Sequence, residues 1–189
     1  DKIFAKGNIT FNGNVFFENA DVRFYNATAS SVTFELGGGM LGFSGKFCRL
    51  YAHINGENAS SVDISGCKSI HFHGNINTNE MIISTGNCSL LGSEYNISVL
   101  SVKNGTTDIR ESMVSKFTEI KTVNIPQSVT LVSSSAFCKN KKLSAINVDA
   151  DNKTYTSCDG VLYKMSSGKP EKLTAYPAAK PGDTYRLRY

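Results

Sequence analysis

Short apolar pairs separated by one residue recur along the chain, at Ile9/Phe11, Val22/Phe24, Val32/Phe34, Leu41/Phe43, Leu50/Ala52, Val62/Ile64, Ile70/Phe72, Met81/Ile83, Leu100/Val102, Val123/Ile125 and Ile146/Val148. Each predicts a strand of a few residues with period two, closed off by Gly, Asn or Ser. Before residue 108 no stretch sustains an apolar pattern at helical spacing, and Gly and Asn punctuate too often for one. The pattern therefore predicts a β protein. Helix is expected to be minor, with one short segment near 109–117 and one turn near 133–137.

Spacing says more than strand number. One set of pairs begins at Val22, Leu41, Val62, Met81, Leu100, Val123 and Ile146, at intervals of 19, 21, 19, 19, 23 and 23 residues. A second set, at Val32, Leu50 and Ile70, follows members of the first by 8 to 10 residues. Periods near 20 residues point to a solenoid, in which each coil buries its apolar side against its neighbours. A β-sandwich also places strands every 8 to 12 residues. It does not require turn chemistry to repeat with the coil, and here it does. The expected fold is mainly β: a single right-handed solenoid with a parallel sheet, in coils of about 20–23 residues.

The repeating turns are "FSGKFCRL" at 43–50, "ISGCKSI" at 64–70 and "ISTGNCSL" at 83–90. Each passes from an apolar residue through Ser and Gly to Cys and then to another apolar strand. Cys48, Cys67 and Cys88 are expected at equivalent places on consecutive coils, as a ladder of small buried thiols. Adjacent rungs are also near enough for one disulfide, so pairing stays open. Five Cys in all leave at least one thiol without a partner in the chain, and no C-x-x-C pair marks a zinc knuckle.

Composition narrows the classes. Apolar residues at 40% and charged residues at 19% of 189 fit a folded chain with a sizeable core. The formal net charge is only +4, and the densest cationic cluster, Lys139, Lys141 and Lys142, reads as a solvated turn with no interleaved aromatics. No nucleic-acid partner is expected. No apolar run long enough for a membrane span occurs, and a start at Asp1 without a signal peptide suits a mature or trimmed chain. Seven N-x-S/T sequons, at Asn8, Asn26, Asn58, Asn87, Asn96, Asn104 and Asn152, permit a glycosylated surface protein. They equally fit a scaffold whose turns are built from Asn, Gly and Ser.

From Ile120 the sequence becomes specific. Ile120-x-x-Val123-x-Ile125-Pro126 recurs as Leu143-x-x-Ile146-x-Val148, 23 residues later, with "SVTLVSSSAF" between. This resembles the leucine-rich repeats of BspA-like bacterial surface proteins, whose unit runs IP-x-SVT-x-I-x-x-x-AF-x-x-C-x-x-L. The following "NKTYTSCDGVLYK" and "KLTAYPAAK" resemble the hairpin with which that family interrupts or ends its arrays, and Asp159-Gly160 fits its tight turn. The resemblance is strong over 120–181 and weaker over 59–110, where "VDISGCKSI" looks like related "LDVSGCTAL" units. Departures are Val132 and Ser133 in place of Ile-Gly, and Asn140 where Cys is frequent. All four Pro lie after residue 125 and 13 of 16 Gly before 106. One continuous domain over 1–189 is expected, Gly/Asn-rich with short coils over 1–110 and BspA-like with a terminal hairpin over 111–189. "TYRLRY" stands where the family starts another repeat, so an exposed final strand is expected there.

Any chemistry has to fit this scaffold. Carbohydrate-active β-helices need carboxylates converging on one face. Here Asp63 has Gly42 and Ile82 at the equivalent positions, and no G-x-S-x-G, P-loop or H-E-x-x-H motif occurs. No enzyme and no cofactor are expected. Aligning Leu50 with Ile70 sets Tyr51 against His71 and His53 against His73, which would gather His53, His71 and His73 into one patch of metal-binding type. Alternation with buried Ile70 and Phe72 would place His71 and His73 outside without any metal. Outward positions by alternation are Arg23, Thr33, Gly42, Tyr51, Asp63, His71, Ile82, Ser101, Asn124 and Asn147. Arg23, Tyr51, Asp63, Ile82, Asn124 and Asn147 are the candidate binding residues. The family resemblance implies a cell-surface or secreted adhesin-like module that binds an extracellular or host-surface protein. A structural spacer or cap of a larger surface protein is the alternative.

Overall fold

The computed structural model describes residues 9–11, 15–18, 21–23, 33–36, 40–45, 48–51, 53–56, 60–67, 69–73, 75–84, 87–90, 95–182 and 186. Among the expected strand residues, Phe24, Val32 and Ala52 lie outside these, as do 184, 185 and 187–189 of the final segment. The chain is mainly β, a parallel-strand solenoid with turns about every 22 residues and almost no helix. It divides into two compact units, Asp1–Ile97 and Ser98–Tyr189.

In the first unit the strands are β1 (Ile9–Phe11), β2 (Val15–Glu18), β3 (Asp21–Arg23), β4 (Thr33–Leu36), β5 (Met40–Gly45), β6 (Cys48–Tyr51), β7 (His53–Gly56), β8 (Ser61–Cys67), β9 (Ser69–His73), β10 (Ile76–Ile83) and β11 (Asn87–Leu90). They form three parallel ladders, β1-β4-β7-β10, β2-β5-β8-β10 and β3-β6-β9-β11. Each coil thus carries three strand positions where periodicity distinguishes two. Leu41, Val62 and Met81 stand in register on the middle ladder, as their spacing predicts, and all are fully buried. Val22 belongs elsewhere. It pairs with Leu50 on the third ladder, and Val15 stands opposite Leu41. The step from Val22 to Leu41 therefore crosses from one ladder to another.

A bulge sets the remaining register. On the β5–β8 pair the partners shift between Gly42 and Ser44, so Leu41 faces Val62 but Ser44 faces Gly66 and Gly45 faces Cys67. Beyond it Cys48 pairs with Ile70, and Cys88 pairs with Ile70 from the other side. The expected ladder of Cys48, Cys67 and Cys88 is therefore corrected. Cys67 follows Gly66 directly, whereas Cys48 stands three residues beyond Gly45. That difference leaves Cys67, buried and not disulfide-bonded, at the end of β8 in another ladder. Cys48 and Cys88 are two strands apart, about 9.6 Å at ordinary strand spacing, beyond the reach of a disulfide.

The second unit holds most of β12 (Tyr95–Val102), then β13 (Asp108–Ile109), α1 (Glu111–Val114), β14 (Thr122–Ile125), β15 (Leu131–Val132), β16 (Ala145–Val148), β17 (Tyr155–Cys158), β18 (Val161–Ser166) and β19 (Lys169–Ala175). β12, β14 and β16 pair in parallel, and β13 pairs with β15. Leu100, Val123 and Ile146 share one rung position, fully buried, as the 23-residue interval predicts. Burying side chains of this size contributes about 1.5–3 kcal/mol each. The short helix falls within the expected 109–117, and the turn over 134–139 covers most of the other expected segment.

The antiparallel β17-β18-β19 section closes this unit. Asp159 (φ 51°) and Gly160 (φ 75°) both take the left-handed conformation, the two-residue turn expected from their sequence. The Gly160 carbonyl accepts the Ile146 N–H at 2.8 Å, and the Ser157 hydroxyl donates to the Ile146 carbonyl at 2.5 Å. A β-carbon at Gly160 would stand 3.0 Å from that of Ala145, at a positive φ that side chains rarely adopt, so the position favours Gly. The hairpin thereby satisfies backbone groups of β16 that a bare strand would expose.

Candidate functional site

Outward rungs with described side chains fall into two groups. In the second unit Ser101, Asn124 and Asn147 stand in register. The Asn124 amide donates to the Ser101 hydroxyl at 3.0 Å, and the Asn147 amide donates to Asn124 Oδ1 at 3.0 Å. The result is a polar strip across three strands whose amides hold one another in place. Amides in such a chain have donors and acceptors to spare, because Asn carries two of each kind of site. Both Asn124 and Asn147 are among the residues that alternation places outward.

In the first unit the outward rung of the middle ladder runs Phe16, Gly42, Asp63 and Ile82. Phe16 is 67% exposed, and its ring lies over Gly42, where a β-carbon would meet a ring carbon at 2.4 Å. Asp63 and Ile82 are half-buried. The Asp63 carboxylate accepts the Ser65 N–H at 2.9 Å and the Ser65 hydroxyl at 2.5 Å, so it holds the bulged segment of β8. On the first ladder Asn77 donates to Asn55 at 2.9 Å, a second outward amide pair. Alternation does not single out Asn55, Asn77 or Phe16, because periodicity distinguishes two strand positions per coil where there are three. The recurrence of Asn 22 residues apart was the available signal.

The remaining candidates sit on the third ladder or apart from it, with backbone placement alone described. Arg23 pairs with Tyr51 and Tyr51 with His73, while Arg49 pairs with His71. His53 lies on β7, opposite Thr33 of the first ladder. The expected alignment of Tyr51 with His71 and His53 with His73 is thus two residues out of step, and the three histidines do not share one ladder. The coil offset is 21 residues at Gly42 and 22 beyond the bulge, where the alignment takes 20. Among the described side chains, which do not include those of the three histidines, no group of three His, Cys, Asp or Glu gathers to hold a metal.

Other carboxylates have local partners. Asp108 pairs with Arg110 at 2.5 Å, Glu119 with Lys142, and Asp149 accepts the Asp151 N–H at 2.9 Å. Sequons sort by environment. Asn96 and Asn104 are exposed, and Asn104 accepts the Gly105 N–H at 3.1 Å in a turn. Asn152 is buried and its side chain makes four hydrogen bonds. The side chain of Asn87, and all of Asn8, Asn26 and Asn58, lie outside the described residues. No described helix is long and apolar enough to cross a membrane.

No protein-family profile matches the chain, and no curated protein does. Among solved structures it is similar to a leucine-rich repeat protein from Eubacterium ventriosum, at 22% identity over 72% of this chain and 40% of that one, with a TM-score of 0.42. The pneumococcal vaccine antigen PcpA matches at 14% identity over 95% and 51% of the two chains, TM-score 0.41. A leucine-rich cell-surface protein from Faecalibacterium prausnitzii matches at 14% identity over 96% and 59%, TM-score 0.38. Two of these neighbours are bacterial leucine-rich repeat or leucine-rich cell-surface proteins and one is a vaccine antigen, all of low sequence identity. The chain spans about half the length of the structures it matches.

Proposed function

We propose that the chain is a non-enzymatic binding module of a cell-surface or secreted repeat protein of BspA-like type, and that its outward rungs meet an extracellular or host-surface protein. One observation carries the reading: Ser101, Asn124 and Asn147 repeat on consecutive coils with their side chains tied together at 3.0 Å. A face held in one arrangement before contact loses little entropy on binding. Its unit repeats, so it extends over successive coils, the usual recognition geometry of stacked repeats. The local employment of Asp63, Asp108, Glu119 and Asp149 supports scaffold roles for these carboxylates. The extracellular setting comes from the resemblance over 120–181, and fold by itself does not assign it.

Pull-down of purified extracellular-matrix and host-surface proteins with the soluble chain tests the reading. Retention of at least one component in a saturable manner is the expected outcome. Retention of none would favour the second role, a spacer or cap, for which the β16 edge covered by the hairpin is the supporting observation.

A further inference from the structure

The modest net charge conceals an uneven distribution. Residues 98–189 hold 14 Lys and Arg against 8 Asp and Glu, whereas residues 1–97 hold 6 against 8. In the second unit much of that excess is brought to one place by the coil repeat. Segment 139–144 lies beside 116–121, one coil away: the Asn140 amide donates to the Phe117 carbonyl at 2.9 Å, the Ser144 N–H to the Lys121 carbonyl at 2.9 Å, and Lys142 reaches Glu119. The Ala179 N–H donates to the Leu143 carbonyl at 2.7 Å, which sets a third segment against the second. Lys116 and Lys121, then Lys139, Lys141 and Lys142, then Lys180 therefore occupy three adjacent rungs. All but the half-buried Lys180 are exposed. Read in one dimension, Lys139, Lys141 and Lys142 are a solvated turn; stacked, they are the centre of a five-lysine patch with Glu119 inside it, while the Lys180 ammonium at its margin donates to the Asp159 carbonyl.

We propose that this patch binds a linear sulfated polysaccharide. Two coils stacked about 4.8 Å apart set exposed ammonium groups close together along and across their strands, which matches a flexible chain that carries charge at short intervals. Ammonium groups on flexible stems act as point charges that adapt to sulfates without demanding a fixed bidentate geometry. Recognition of single-stranded nucleic acid calls for exposed aromatic platforms. The aromatics of these segments do not supply them, since Phe117 is buried and Phe137 half-buried. The choice of polyanion rests on the extracellular placement proposed above; the clustering of charge does not.

The test is binding of size-defined heparin to the whole chain, alongside fully desulfated heparin and an oligothymidylate of similar length. Heparin should bind, and weaken as sodium chloride is raised. Desulfated heparin and the oligothymidylate should bind at least about tenfold more weakly. Lys116→Ser/Lys139→Ser/Lys141→Ser should lose about tenfold or more in affinity, whereas Lys164→Ser/Lys169→Ser/Lys172→Ser, an equal change of charge at exposed hairpin positions, should bind as the parent does. On the unmodified chain, heparin should protect Lys139 and Lys141 from acetylation and leave Lys164 and Lys169 reactive, which keeps the test independent of how any variant folds. Equal loss in both triple variants, no heparin binding, or an oligothymidylate bound as tightly as heparin would overturn the proposal. None of these outcomes touches Asn124 or Asn147, so the protein-binding face stands or falls separately.

Discussion

Asn152→Ala should lower the unfolding free energy by about 3–5 kcal/mol in denaturant titration. The side chain is 2% exposed and makes four hydrogen bonds. Its amide nitrogen donates to the carbonyls of Pro126 and Val129, one coil back, at 2.9 and 3.0 Å. Its oxygen accepts the N–H groups of Thr154 and Tyr155, each at 2.8 Å. Alanine would strand both donors in a dry interior, and each such group costs about 1–3 kcal/mol. Asn140 gives the control. It bridges the Val114 and Phe117 carbonyls in the same way, but its buried Oδ1 has no hydrogen-bond partner among the described residues. Asn140→Ala should therefore cost clearly less than Asn152→Ala. Equal losses would mean that the accepted N–H groups contribute little.

Tyr163→Ala should be comparably severe, at about 3–5 kcal/mol. Tyr163 is the largest fully buried side chain among the described residues, flanked by buried Val161 and Leu162 on β18. Removing its ring would empty the core beneath the hairpin. The Gly160 carbonyl and Ser157 hydroxyl would then lose the support that holds them against Ile146. The 145–148 strand should show faster amide hydrogen exchange than the 122–125 strand in this variant. Uniform acceleration of both strands would mean that the hairpin is not a local cap.

These positions also show where the sequence was legible. The buried rungs Leu100, Val123 and Ile146 could be read directly, because burial on one face of a parallel strand imposes both period two and a fixed coil length. Leu41, Val62 and Met81 follow the same logic in shorter coils. The turn at Asp159-Gly160 was legible because few residue pairs accept two left-handed conformations. The third ladder was not. A bulge between Gly42 and Ser44 changes the coil offset without altering the order apolar, Ser, Gly, Cys. Equating the Cys turns crosses that point, whereas the histidine alignment, anchored beyond it on Leu50 and Ile70, takes a 20-residue offset where the coil has 22. Asn124 and Asn147 were legible as outward positions, yet their mutual hydrogen bonds required the neighbouring coil to be in place. The lysine patch was hidden for the same reason: Lys116 and Lys139 become neighbours only when the 23-residue coil brings their segments together.

The face itself is tested most directly by Asn124→Arg/Asn147→Arg, measured against a panel of immobilised extracellular-matrix and host-surface proteins. Both positions are outward, and the thermal midpoint of the variant should stay within a few degrees of the parent. A component bound by the parent chain should bind the variant at least about tenfold more weakly, since two bulky cations would break the amide strip at its centre. Undiminished binding by the folded variant, or a panel in which the parent binds nothing, would contradict it.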